Sequence, residues 1–222
     1  MNEQTAVIIG ASGLIGSELL EQMLHDAHFG TVRVLVRREL AISHPKLHQA
    51  IVDFNDIEDY GNKFGKGDSI FCCIGTTQKK VKGDKAEYEK IDHDIPVNAA
   101  RIGSAAGFKK FLIVSSVGAD PSSSNFYLQL KGKTENDIKR FAFESISFFR
   151  PSMLLGKRNE SRPFEDLLQG GISFLSSFLF GSLIKYHSIK ARDVAAAMIA
   201  ESKQSKPGIH ILEYKEMMKL IR

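Results

Sequence analysis

The sequence predicts an α/β protein in which a parallel β-sheet is covered by helices on both faces. Short apolar runs typical of buried strands recur along the chain, stretches with helical spacing separate them, and a glycine-rich turn follows the first run. Strands that alternate with helices pair in parallel, and right-handed crossovers bring their carboxyl ends to one edge of the sheet. Polar residues that follow the strands are therefore expected to meet at that edge.

The elements of this fold can be placed along the 222 residues. Apolar runs predict strands at 6–9, 31–36, 50–54, 69–74, 109–114, 147–150 and 208–212. Helical spacing predicts a helix that starts at residue 14 and further helices at 56–64, 88–107, 127–143, 189–199 and 215–220. We expect a single domain over residues 1–222, with a small C-terminal lobe.

The turn after the first strand has the spacing of a nucleotide-binding loop. Gly10, Gly13 and Gly16 follow G-x-x-G-x-x-G, and Leu14 and Ile15 begin the apolar face of the next helix. Glycine at these places permits the tight turn, the approach of a pyrophosphate to the backbone, and close packing of helix on strand. The helix N-terminus offers N–H donors to the anion. The pattern predicts a Rossmann-like dinucleotide site, and a methyltransferase turn is the main alternative.

Residues at the ends of the second and third strands bear on the choice of cofactor. Arg37 and Arg38 follow the second strand, where an acidic residue would hold the ribose 2′-hydroxyl of NAD and arginine suits the 2′-phosphate of NADP. Asp53 ends the third strand, where it could meet the adenine amino group. The absence of an acid after the second strand favours NADP(H) and disfavours the methyltransferase.

Small polar residues follow two further strands. Gly75 and Thr76 come after the fourth strand and are suited to lie against a cofactor. Ser115 and Ser116 come after the fifth strand. All four residues are expected at the same edge of the sheet as the glycine turn.

A tyrosine and a lysine lie one helical turn apart shortly after these serines. Tyr127 and Lys131 share a helix face because they are four residues apart. A phenol with a pKa of about 10 is a poor acid at neutral pH, and a neighbouring ammonium stabilises its phenolate form. A serine hydroxyl can then hold a substrate carbonyl oxygen while the tyrosine supplies its proton, and hydride comes from nicotinamide. The set predicts reduction of a carbonyl or oxidation of an alcohol.

These residues carry a family resemblance over essentially the whole chain. The sequence resembles the atypical short-chain dehydrogenases/reductases, and among them the Tat-interacting-protein-like group of small NADPH-binding oxidoreductases. The matching stretches are Gly-Ala-Ser-Gly at 10–13, Cys-Cys-Ile-Gly-Thr-Thr at 72–77, Ser-Ser-Val-Gly-Ala-Asp at 115–120, Ser-Asn-Phe-Tyr-Leu-Gln-Leu-Lys-Gly at 124–132, Phe-Arg-Pro-Ser-Met-Leu-Leu at 149–155 and Glu-Ser-Arg-Pro at 160–163.

The resemblance implies an NADP cofactor on the residues of the first turn, namely Gly10, Ser12, Gly13 and Ile15. It also implies that Arg37 meets the 2′-phosphate, that Tyr127 is the general acid/base and that Lys131 is its partner. The matching serine is Ser115 or Ser116, and we favour Ser116. Residues 151–222 are expected to form most of the substrate wall.

Composition limits the other partners and the location. A net charge of +4 is too weak to indicate nucleic-acid binding, and the histidines show no spacing typical of a metal site. The apolar stretch 171–184 is too short to span a bilayer comfortably, so we expect no stable membrane insertion. Cys72 and Cys73, adjacent in an apolar run, and an N-terminus without a signal-peptide pattern indicate a cytoplasmic protein. The oligomeric state, monomer or dimer, stays open.

Two other functions fit parts of the pattern. A non-catalytic NADPH-binding regulator that reports redox state to a protein partner would share the turn, although loss of the tyrosine or lysine would be its expected mark. A sugar-nucleotide epimerase with bound NAD normally needs a C-terminal lobe larger than roughly 70 residues.

Overall fold

Alternation of apolar strands and helices along the chain gives a layered α/β structure. The structure, a computed structural model, describes residues 3–155 and 185–222. Its strands are β1 (Gln4–Ile9), β2 (Phe29–Val36), β3 (Leu47–Ile51), β4 (Ser69–Cys72), β5 (Lys110–Val114), β6 (Ser145–Phe149), β7 (Leu154–Leu155), β8 (Ile189–Lys190) and β9 (Gly208–Leu212). Its helices are α1 (Leu14–His25), α2 (Ile57–Phe64), α3 (Lys85–Glu89), α4 (Ile95–Ala105), α5 (Phe126–Ile138), α6 (Ala191–Ser202) and α7 (Tyr214–Leu220), and a π-helical turn (Lys90–Asp94) joins α3 to α4. The predicted motif 160–163 and the apolar stretch 171–184 lie outside the described residues.

The main sheet has the strand order of a dinucleotide-binding fold. Within the described residues, seven strands form it in the order β3-β2-β1-β4-β5-β6-β9, and every neighbouring pair is parallel. The chain order reverses between β1 and β4, and ligands of such sheets bind outside the carboxyl ends of the strands at that point. The predicted Rossmann-like, doubly wound fold is confirmed.

Helices cover both faces of the sheet, which explains why its strands are continuously apolar. In β1, Ala6 and Ile8 belong to the core under α1 and α6, whereas Val7 and Ile9 belong to the core under α2, α4 and α5. All four side chains are fully buried. Side chains of a strand alternate between its two faces, so an uninterrupted apolar run requires a cover on each side.

Several predicted elements have different bounds in the structure, and three of the differences have a clear physical reason. The predicted strand 50–54 is β3, at Leu47–Ile51, because the chain leaves the sheet at Val52 and enters a turn. The predicted helix 88–107 is divided into α3, the π-helical turn and α4. The predicted helix 127–143 ends at Ile138, and its apolar pattern continues because Phe141 and Phe143 pack against the core from the following loop.

The C-terminal part packs against the main sheet. Residues of α6 and α1 share one hydrophobic core, and β9 extends the sheet beside β6. The use of residues 151–222 as a substrate wall stays a prediction.

No helix among the described residues has the length and apolar character needed to cross a bilayer.

Candidate cofactor and active site

The turn between β1 and α1 is packed so closely that only glycine fits. Gly10 has a φ of +86°, and a Cβ there would lie 2.7 Å from the backbone of Cys73 and Ile74. A Cβ on Gly16 would overlap the carbonyl oxygen of Gly10. The first turn of α1 therefore lies directly against the end of β1, beside the end of β4.

The first turn of α1 keeps its N–H groups available to a ligand. Gly13 is the N-cap, no side chain caps the helix, and its first turn holds no acidic residue. By contrast, the side chains of Asp56, Asp84 and Asn125 cap α2, α3 and α5. Uncapped N–H donors at a helix start bind phosphate readily. The predicted residues Gly10, Ser12, Gly13, Leu14, Ile15 and Gly16 form this turn and fit a dinucleotide pyrophosphate.

The residues predicted to meet the adenosine half lie on the neighbouring strands. Arg37 and Arg38 follow β2 directly, and both are exposed. Asp53 follows β3, also exposed, and its carboxylate accepts a hydrogen bond from the Asn55 N–H. The strands β1, β2 and β3 are adjacent and parallel, so these residues share the edge that carries the glycine turn.

The loop after β4 connects the cofactor side of the site to the helices. Gly75 is exposed, whereas Thr76 is buried. The Thr76 N–H donates to Asp92 Oδ2 over 2.7 Å, and the Tyr88 hydroxyl donates to the Thr76 carbonyl oxygen over 3.3 Å. Thr76 is thus fixed by the π-helical turn and α3.

Helix α5 presents Tyr127 and Lys131 on one face, as the spacing predicts. The Asn125 side chain accepts from the Leu128 N–H and starts the helix just before the tyrosine. Lys131 Nζ lies 5.9 Å from the centre of the Tyr127 ring and 2.8 Å from Asp92 Oδ1. Burial acts to lower the pKa of Lys131, but the charge and hydrogen bond of Asp92, together with the smaller contributions of Tyr127 and Cys72, outweigh it and raise that pKa above its usual value.

The two serines after β5 have different surroundings. Ser115 Oγ donates to Glu135 Oε1 over 2.6 Å, and Arg150 donates to both oxygens of the same carboxylate over 2.8 and 2.6 Å. The hydrogen bonds that Arg150 donates to the Glu135 carboxylate raise the pKa of Arg150 above its usual value. Ser116 Oγ has a longer contact, 3.3 Å, to the Val117 carbonyl oxygen. Ser115 therefore belongs to a buried ionic cluster that includes Arg150.

Three charged residues of this region were not predicted from the sequence. Asp92, Glu135 and Arg150 make the contacts that fix Lys131 and Ser115. Arg150 follows β6 directly, so its place at the strand end could have indicated it. Asp92 and Glu135 lie within helical patterns that carry no such signal. No group of three or more His, Cys, Asp or Glu side chains within 3–155 and 185–222 is arranged to hold a metal ion.

Comparison with known proteins identifies the family. Residues 10–163 match a family model described as NAD(P)H-binding. Protein HTATIP2 of Rattus norvegicus is 37% identical over 186 residues, which cover 82% of this chain and 73% of that protein. A mitochondrial FMP52 protein of Meyerozyma guilliermondii is 30% identical over 218 residues, which cover 96% of this chain and 94% of that protein.

Solved structures of low sequence identity share the fold. Uronate dehydrogenase from Agrobacterium tumefaciens superposes with a TM-score of 0.70 at 14% identity, covering 96% of this chain and 76% of that chain. The Bordetella bronchiseptica enzyme WbmG, solved with NAD, gives a TM-score of 0.68 at 16% identity, covering 96% and 73%. These likenesses support the Rossmann-like architecture.

The relatives also correct the expected location. The proteins of Scheffersomyces stipitis, Meyerozyma guilliermondii and Debaryomyces hansenii are all named mitochondrial. Their names contradict the cytoplasmic location that we expected from the two cysteines and the N-terminus. Two adjacent free thiols are compatible with any reducing compartment and do not specify one.

The family match covers more than half of the chain, and it includes the glycine turn and the helix start that fit a pyrophosphate. The same stretch contains Tyr127 and Lys131, two of the residues that carry the family resemblance seen in the sequence. The chain therefore belongs to the NAD(P)H-binding family of Rossmann-fold proteins, in the group that includes HTATIP2 and FMP52.

Proposed function

We propose that this protein is an NADPH-dependent oxidoreductase that reduces the carbonyl of a small, apolar substrate or oxidises the corresponding alcohol. The observation that carries the proposal is the pair of Tyr127 and the buried ammonium of Lys131 on one face of α5. The family membership supports the cofactor. The fold by itself does not specify a reaction, so the proposal depends on these side chains.

The proposed roles follow from the chemistry of each group. NADPH, when bound, supplies the hydride. The Tyr127 hydroxyl gives its proton to the substrate oxygen, and the Lys131 ammonium stabilises the phenolate that is left. The reverse proton transfer accompanies oxidation of an alcohol.

Ser116 is the better candidate for the hydroxyl that holds the substrate oxygen. Ser115 already donates its single hydroxyl proton to Glu135, and breaking that bond would leave a buried carboxylate with one donor fewer. Ser116 lies on a loop attached to α5 through the Asp120 N–H, which donates to the Leu128 carbonyl oxygen. Its hydroxyl can exchange a 3.3 Å backbone contact for a substrate at smaller cost.

Arg37 and Arg38 support a preference for NADPH over NADH. Their guanidinium groups are exposed at the end of β2, one strand from the glycine turn. Guanidinium donors form strong, charge-assisted hydrogen bonds to phosphate. Asp53 on the next strand is the proposed contact of the adenine amino group.

Calorimetric titration with NADPH and NADH tests the cofactor. A panel of aldehydes and ketones, with NADPH oxidation monitored by absorbance, then tests the reaction. We expect tighter binding of NADPH and substrate-dependent oxidation of it. Tight NADPH binding without turnover of any carbonyl compound would contradict the proposed enzymatic activity and favour a non-catalytic NADPH-binding regulator. Binding of neither nucleotide would contradict the cofactor assignment.

A further inference from the structure

Asp92 is a buried carboxylate in the middle of the candidate site, and nothing in the proposed chemistry yet uses it. Its exposed fraction is 1%, and that of Lys131 is 5%. We infer that Asp92 is a positioning residue that keeps the Lys131 ammonium charged and ties it to the loop after β4. For its consequence in catalysis, this inference rests on the proposed function.

Both carboxylate oxygens of Asp92 are engaged, each on a different element. Oδ1 lies 2.8 Å from Lys131 Nζ on α5, and Oδ2 accepts the Thr76 N–H over 2.7 Å. A Cβ on Gly75 would lie 3.4 Å from Oδ1, so the loop passes close by. One side chain therefore joins the lysine to the loop predicted to contact the cofactor.

The π-helical turn explains why Asp92 can reach both partners. A π-helix inserts an extra residue relative to an α-helix, and such turns are frequent at functional sites. The wide turn Lys90–Asp94 lies between α3 and α4 and packs on α5, where Thr134 Oγ1 is 3.2 Å from the Asp92 carbonyl oxygen. Both the backbone and the side chain of Asp92 thus contact α5.

The charges around Lys131 make Asp92 decisive for its protonation. The titratable groups that face the ammonium are Asp92 from the π-helical turn, Tyr127 from α5 and Cys72 from β4. Burial raises the pKa of Cys72 to about 12, so this thiol is neutral near pH 7. Without the carboxylate, desolvation would dominate, and buried lysines can then lose their proton below neutral pH.

The direct test is a titration of Lys131 itself by NMR in protein labelled with ¹³C at lysine Cε. The Lys131 resonance is identified by its absence in Lys131→Arg, which keeps the charge. In the wild type we expect the titration midpoint of Lys131 to be at least as high as those of the other lysines. In Asp92→Asn we expect its midpoint to fall by at least ~1 pH unit. An unchanged midpoint in Asp92→Asn would overturn the inference.

Two further variants separate charge from structure. Asp94→Asn makes the same change two residues along, at an exposed carboxylate, and should leave the Lys131 titration unchanged. Asp92→Glu keeps the charge and should restore most of the wild-type midpoint. Should Asp92→Asn fail to fold, the wild-type titration still decides, because a Lys131 midpoint below that of the other lysines contradicts the inference.

The consequence for catalysis is read from the pH dependence of NADPH oxidation. We expect the alkaline loss of activity in Asp92→Asn to move to lower pH by the same amount as the Lys131 midpoint, a shift that a purely structural role would not produce. A fall in kcat at all pH values without such a shift would overturn the catalytic part. A wild type without turnover would contradict the proposed function, while the NMR titration would still decide the role of Asp92.

Discussion

At the scale of single residues, the candidate site combines one hydroxyl proposed to transfer a proton, that of Tyr127, with charged side chains that are held in ion pairs. Tyr127 is half-buried, and its ring lies edge-on to Tyr88 with centroids 6.4 Å apart. Lys131 is held by Asp92, and Ser115 by Glu135. The neighbours of Tyr127 fix its ring, so the hydroxyl is the part of this side chain that can act on a substrate.

Replacing Tyr127 by Phe removes this hydroxyl and leaves the ring packing in place. We expect turnover of any carbonyl substrate to fall by about 10²–10⁴-fold, the usual contribution of a general acid. NADPH affinity, measured by calorimetry, should stay close to the wild-type value. Tyr60→Phe is the matched control, because the Tyr60 hydroxyl lies in the core, 3.5 Å from the Ile95 carbonyl oxygen. Wild-type turnover in Tyr127→Phe would contradict the assigned role.

Arg37→Ala tests the preference between the two nucleotides. Loss of a hydrogen bond between charged groups costs about 1.5–3 kcal/mol, or about 10- to 150-fold in affinity. We expect this loss for NADPH and little change for NADH, both measured by titration calorimetry. Arg101→Ala, on the exposed surface of α4, serves as control. Equal losses for both nucleotides would remove Arg37 from the phosphate site.

At the scale of elements, α5 is held against the loop that carries the serines. A Cβ on Gly132 would overlap the backbone of Asp120 and Pro121. The Asp120 N–H donates to the Leu128 carbonyl oxygen in the same helix. The contact between helix and loop therefore requires glycine at position 132, and it holds the helix that carries Tyr127 against the loop that carries Ser116.

Gly132→Ala should push α5 away from this loop. Overpacking of this kind costs about 1–3 kcal/mol, so we expect the free energy of unfolding in urea to fall by that amount. Gly61→Ala is the matched control in α2, where a Cβ meets nothing within 4 Å. Alanine is favoured over glycine inside a helix by about 0.5–1 kcal/mol, so this control should be neutral or stabilising. Equal stability of the two variants would contradict the close contact.

The elements also show where sequence patterns stop being informative. Glycine spacing and apolar runs predicted the order of strands and helices and the first turn, because these features are local and periodic. The π-helical turn was not predicted, since it adds one residue to an otherwise helical stretch and is shorter than the window over which helical spacing is recognised. Asp92 and Lys131 are also 39 residues apart (131 − 92), and their contact depends on how α5 packs on that turn.

At the scale of the whole molecule, parallel strands bring distant segments to one edge. The glycine turn, Thr76 and the serines come from the ends of β1, β4 and β5, which are neighbours in the sheet. The helices that complete the site, α5 and the π-helical turn, are on one face of that sheet. Any contact that joins these two elements therefore contributes both to global stability and to the geometry of the site.

His93 makes such a contact, and it makes the stability of the molecule depend on pH. Its Nδ1 lies 2.8 Å from Asp94 Oδ1, and its Nε2 lies 3.0 Å from Asp137 Oδ2 on α5. Burial acts to lower the pKa of His93, but the hydrogen bonds to the two carboxylates outweigh it and raise that pKa above 6.5. The protonated ring donates from both nitrogens, so it suits two acceptors.

Because the folded state holds this proton more tightly than the unfolded state, the contribution of His93 to stability is complete below the unfolded pKa of 6.5. It is lost as pH rises through the higher, folded pKa. His93→Asn should therefore lower the free energy of unfolding more at about pH 5.5 than at about pH 8.5, by about 1 kcal/mol or less for a partly exposed pair. Urea denaturation at both pH values measures the difference, and His48→Asn, at an exposed position of β3, should show none. An equal loss at both pH values would mean that His93 joins the π-helical turn to α5 by packing, and that its charge does not contribute.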